Sequence, residues 1–111
     1  MKKIDLENRL IEFTVSVYHI CLKINNSALG KYISQQLIRS ALSPALNYGE
    51  AQGAESQKDF VHKLRIALKE LRESHVSLRI VKRSKICSSE EMLSIAIDEC
   101  NQLISIFVTS I

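Results

Sequence analysis

Apolar residues recur along this chain at alternating spacings of three and four, and polar residues fill the positions between them. Leu6, Leu10, Phe13, Val17, Ile20 and Ile24 form the first such series. That spacing predicts an amphipathic helix, with Asp5 as a plausible N-cap. Asn25-Asn26-Ser27 then interrupts the pattern with residues that favour turns and caps.

A second segment, from about Ala28 to Gln52, is apolar over more than half of its circumference through Ile33, Leu37, Ile38, Ala41, Leu42, Ala45 and Tyr48. Such a helix is expected to be covered on two sides. Pro44 lies inside it, where it removes one backbone donor and crowds the carbonyl of Ser40, so a kink is expected there. Gly53 is a natural stop.

The third segment, from about Glu55 to Lys85, carries Phe60, Leu64, Ala67, Leu71, Leu78 and Val81 on one seam broken only by Ser74. Ser88 or Ser89 followed by Glu90 and Glu91 reads as the cap and first turn of a fourth helix. Its seam is Leu93, Ala96, Cys100, Leu103 and Phe107. No stretch shows strand-like alternation. Four helices joined by short turns predict an all-α, antiparallel up-down-up-down four-helix bundle, with the second helix kinked at Pro44. With 111 residues, residues 1–111 are expected to be one domain.

The third helix is also sorted by charge. At about 100° per residue, Lys58, Arg65, Lys69, Arg72, Arg79 and Arg83 fall inside a sector of roughly 80°, whereas Asp59, Glu70 and Glu73 lie on the opposite flank. Solvated helix faces usually mix the two signs at i,i+4 spacing. Segregation instead suggests one surface for an acidic partner, RNA or DNA included, and another for a basic one. The net charge of +3 hides the same imbalance: residues 1–54 sum to +2, residues 55–85 to +5 and residues 86–111 to −4. The basic middle suits nucleic acid; it suits equally an acidic segment of the same or a neighbouring chain.

Candidate chemistry is sparse. Cys21, Cys87 and Cys100 are an odd set without ligand spacing, so neither a disulfide framework nor a zinc site is indicated, and a reducing cytoplasmic setting fits. His19, His62 and His75 are not spaced as a helical metal pair. Gly30, Gly49 and Gly53 match no phosphate-loop fingerprint, and no nucleophile–base pair is readable. Catalysis, cofactors and metals are therefore not expected. The Met1-Lys2-Lys3 start lacks a following apolar run, and Cys100–Ile111 is too short to span a bilayer, so no membrane partner is expected.

Two other groups stand out. Arg39, Ser40, Ser43, Asn47 and Glu50 share a face of the second helix and are expected to form a structural polar network that fixes its register. Ile66, Ile80, Ile95 and Ile106 project away from their seams and are expected to form a self-association surface.

Arg39-Ser40, Ser43-Pro44-Ala45, Asn47-Tyr48-Gly49-Glu50-Ala51, Lys58-Asp59-Phe60, Leu68-Lys69-Glu70-Leu71-Arg72-Glu73 and Glu99-Cys100-Asn101-Gln102-Leu103 resemble the bacterial four-helix-bundle protein family, also called the large-subunit rRNA intervening-sequence protein family. The resemblance covers nearly the whole chain. It implies a barrel-shaped homopentamer. Through a related branch, the accessory protein of diversity-generating retroelements, it also implies contact with RNA or DNA, or with a nucleic-acid enzyme such as a reverse transcriptase. That contact maps onto the six basic positions of the third helix. The chain departs from many relatives after Glu73, where Ser74-His75-Val76-Ser77-Leu78 lacks an aromatic residue, and it ends without a basic tail. The leading expectation is a non-enzymatic oligomer that binds nucleic acid through this face. The alternative is a scaffold whose basic and acidic flanks meet between subunits and bind none.

Overall fold

The computed structural model describes residues 3–111, with side chains from Leu6 onward. Four helices follow one another: α1 (Lys3–Cys21), α2 (Ala28–Gln52), α3 (Gln57–Ser84) and α4 (Glu90–Ser110). The Met1-Lys2 start lies outside the described residues. Because α1 is already helical at Lys3, Asp5 sits inside the helix and is not its N-cap. Three serines cap the others: Ser27 accepts from the Gly30 N–H, Ser56 from Asp59 and Ser89 from Met92. Each hydroxyl satisfies a backbone donor that the first turn leaves free.

The helices pack as a ring in chain order, α1 on α2, α2 on α3, α3 on α4 and α4 back on α1, with α2 and α3 sharing the most extensive contact. Neighbours run antiparallel because the connections are only four to six residues long. The expected seams are the core. Leu10, Phe13, Val17, Ile20, Leu37, Leu71, Leu78, Leu93, Leu103 and Phe107 are essentially fully enclosed, and the rod they fill measures 44 × 24 × 18 Å.

α2 continues through Pro44, which is itself buried. Proline leaves the Ser40 carbonyl without its helical donor. One residue on, the Thr14 hydroxyl of α1 lies 2.9 Å from the Ala41 carbonyl, giving this stretch of α2 a polar tie to its neighbour. Gly30 is required for another reason. A Cβ there would stand 2.1 Å from the Asn25 carbonyl oxygen, so only glycine lets the first turn of α2 close against the loop before it.

At one end of the rod, the α1–α2 and α3–α4 loops are joined. The Asn25 N–H donates to the Ile86 carbonyl at 2.9 Å and the Ser88 N–H to Lys23 at 3.0 Å, making an antiparallel bridge between Ile24 and Cys87. Ile24, expected on the α1 seam, belongs to this bridge instead. α3 ends on Lys85 in the left-handed conformation, with φ 58°.

α4 is the most apolar of the four helices. Taken whole, its 21 residues are long and apolar enough to cross a bilayer, although the final dozen alone are not. In the bundle, Leu93, Ala96, Cys100, Leu103 and Phe107 of this helix face the core.

Candidate nucleic-acid interface

Lys58, Arg65, Lys69, Arg72, Arg79 and Arg83 are all exposed. Their sector of α3 lies on the side toward α4: Lys82, adjoining it, reaches Ser94 of α4 at 3.3 Å. Among the described residues none of the six forms an ion pair. Arg79 touches only the carbonyl of His75, one turn back on its own helix, at 3.4 Å. The α4 surface beside the row carries Ser94, Asn101 and Ser105, all exposed and uncharged, together with the exposed carboxylate of Asp98.

Two of the three acids of α3, Glu70 and Glu73, are engaged on the other flank. Arg39 of α2 donates to Glu70 at 2.8 Å and also to Glu73. Hydrogen bonding to Glu70, reinforced by both carboxylates, raises the Arg39 guanidinium above its ordinary range. Lys63 pairs with Glu50 of α2 at 2.8 Å, and its pKa is raised by that bond. Because these acids face α2, they do not neutralise the cations of the opposite flank.

This arrangement corrects the expected polar network. Arg39, Ser40, Ser43, Asn47 and Glu50 all lie toward α3 or at its edge, yet they separate into independent pieces. Arg39 serves Glu70 and Glu73, while Ser40 meets Ser74 in a fully buried hydroxyl pair at 2.7 Å. Asn47 bonds back to Ser43 at 3.0 Å, and Glu50 takes Lys63. Arg39 and Glu50 stand eleven residues, about 16 Å, apart on the helix, too far for contact. Their side chains are also half exposed, at 50% and 58%.

The four isoleucines likewise do not share one surface. Ile95 and Ile106 flank Glu99 on α4, on the side toward α1 where Arg9 forms a bidentate pair with Glu99 at 2.6 and 2.9 Å. Ile66 lies on the α2 side of α3, near Glu70 and Glu73 in helical projection, and Ile80 points outward. Ile66 and Ile106 are half-buried, while Ile80 and Ile95 are exposed.

The large exposed apolar surface lies elsewhere. Ile11, Val15, Tyr18 and Leu22 form one stripe of α1, and Ile38, Leu42 and Leu46 one stripe of α2. Thr14 reaching Ala41 and Cys21 reaching Ser34 fix how α1 and α2 face each other. In that register the two stripes flank the same groove, opposite the basic side of the ring. On α1 the stripe already repeats at spacings of four and three on the side away from the seam, but only the position of α2 shows that it adjoins Ile38, Leu42 and Leu46.

Comparison with known proteins places the chain. Residues 2–108 match the model of the 23S rRNA-intervening sequence protein family. The chain belongs to that family. A crystal structure of a protein of unknown function from the S23 ribosomal protein family of Bacteroides thetaiotaomicron superposes with a TM-score of 0.84. The two are 26% identical over 94% of this chain and 95% of that one. No curated protein matches. The family's four-helix bundle is the fold described above, and no enzymatic family is indicated. Among the described residues no group of three or more His, Cys, Asp or Glu side chains could hold a metal ion. Cys21, Cys87 and Cys100 are unpaired. Burial pushes the Cys21 thiol up to about 11 and the Cys100 thiol up to about 12, so both are poor nucleophiles.

Proposed function

We propose that this family member is a non-enzymatic, self-associating bundle that binds nucleic acid, or a nucleic-acid enzyme such as a reverse transcriptase, through the basic face of α3. The observation that carries the reading is the row of six exposed cations that, among the described residues, form no ion pair, on a helix whose Glu70 and Glu73 are held by Arg39. Such a row neutralises phosphates and releases their counterions. The same two ion pairs weigh against the scaffold alternative, which needs those acids free to meet a neighbour's cations. Five subunits is the number that the family resemblance implies. Unpaired, largely buried cysteines fit the reducing cytoplasm.

The test is a salt titration of RNA and DNA binding by the intact protein and by the Arg65→Glu/Arg72→Glu double variant, alongside oligomer mass. Each lost phosphate contact should flatten the slope of log affinity against log salt by about one unit, so the variant should lose about two. Both positions are exposed, so folding and mass should persist. Absence of wild-type binding at low salt, with mass lost in the variant, would return the scaffold.

A further inference from the structure

The basic face has a length, a shape and a composition that narrow its ligand, provided the nucleic-acid reading stands. Its cations lie on one uninterrupted helix, so they form a straight, stiff row, about 38 Å from Lys58 to Arg83 at 1.5 Å per residue. The row ends in two basic depressions. One is lined by Lys58, His62 and Arg65; the other, where α3 turns into α4, by Arg79, Lys82, Arg83 and Lys85, with Glu90 at its rim. Their centres are about 30 Å apart along α3, close to the ~34 Å helical turn of a duplex.

Aromatic residues decide between single and double strands. Proteins that hold single strands without sequence preference stack bases on exposed aromatic rings. Among the described residues no exposed Phe, Tyr or Trp lies on this side, and the one exposed ring there is the imidazole of His62. The chain has no Trp; Phe13 and Phe107 are buried, and Phe60 is half-buried against the core. The exposed Tyr18 and Tyr32 sit on α1 and α2. Apart from the exposed Val76, which falls between Arg72 and Arg79 on the same face, what adjoins the cations is Ser94, Asn101 and Ser105, hydroxyl and amide groups of the kind that bond phosphate and sugar oxygens. Two carboxylates border the row as well, Glu90 at the rim of one depression and Asp98, which accepts from Gln102 at 2.9 Å.

We infer that this face takes the backbone of a double helix, DNA or RNA, laid along α3 and bound without regard to sequence. A duplex aligned with the row brings its backbone across the helix at each groove edge and returns to the same face after one turn. Cations at both ends of α3 then engage phosphates together. A flexible single strand gains the same charge contacts only by ordering itself, with a single imidazole, His62, to stack on.

Fluorescence polarisation of the full chain tests this, using duplexes of about two turns in DNA and in RNA, their separated strands, and a duplex cut to about half a turn. We expect either form of duplex to bind on the order of tenfold tighter than its strands, the half-turn duplex to lose most of that affinity, and scrambled sequences to bind alike. Lys58→Glu and Arg83→Glu, at opposite ends of the row, should each weaken the long duplex while leaving the half-turn duplex little changed. Single strands binding as tightly as duplex would overturn the inference and leave the nucleic-acid reading intact. A strong sequence preference would overturn the backbone assignment. Failure to bind any of these probes at low salt would remove both.

Discussion

The α1/α2 side and the α3/α4 side of this bundle are both long antiparallel helix pairs over one shared core, yet they present opposite chemistry. The first exposes Ile11, Val15, Tyr18, Leu22, Ile38, Leu42 and Leu46. The second exposes six cations bordered by hydroxyls, an amide and the carboxylates of Glu90 and Asp98. The core cannot explain the difference, because Val17, Leu37, Leu71 and Leu103 are equally enclosed. It arises on the outer flanks, where side chains are free of packing demands and therefore report on what lies outside. Two copies can bury the first side against each other, whereas two copies of the second repel. Self-association and nucleic-acid binding can thus occupy opposite sides without competing.

The strongest way to break this contrast is to put charge on the apolar side. Val15→Asp/Leu42→Asp should dissociate the oligomer, because an unpaired carboxylate in an apolar interface is strongly unfavourable. Light scattering coupled to size exclusion would show the fall in mass. Ile66→Asp and Ile106→Asp, off that surface, should leave mass nearly unchanged. The reverse result would move the subunit contact to α3 and α4.

A subtler test concerns the seam between the two sides. Arg39 lies outside the basic row, yet it holds Glu73 away from Lys69, four residues earlier on α3. Arg39→Ala should release Glu73 toward Lys69 and lower nucleic-acid affinity by about twofold, in line with a helical ion pair at that spacing. Arg39→Ala and Glu50→Ala should be additive in stability, whereas Arg39→Ala and Glu70→Ala should not. Coupling between Arg39 and Glu50 would restore the single network.

The smallest effect is expected from pH. His75 is half-buried beside the α4 polar row, and burial, then Arg79, lowers its pKa from the ordinary 6.5. Its neutral form is the one the fold favours. The stability it contributes is complete above pH 6.5 and is lost as pH falls through its lower folded value. His75→Gln should flatten that decline in thermal melts between neutral and mildly acidic pH.

The four seams and most boundaries were legible in the sequence because each helix announces its own core face. Leu10, Phe13 and Val17 require no knowledge of α2. The basic row was equally legible, since it lies on one helix. Partnerships were not. Whether Arg39 meets Glu50 or Glu70 depends on the register of α2 against α3, and whether Leu42 is covered depends on how far α1 shields it. Lys85 escaped for a local reason: a left-handed cap is expected of glycine, and here a lysine adopts it.

The bridge between Ile24 and Cys87 has a mechanical consequence. Each half of the molecule is a helical hairpin, and at one end the halves are joined covalently through the α2–α3 connection. At the other they are clasped by the two backbone bonds from Asn25 and Ser88. A rod clasped at both ends resists being prised open like a hinge, so its two hairpins should yield together. Whatever pulls on the basic side is then felt on the apolar side as a load on one rigid body.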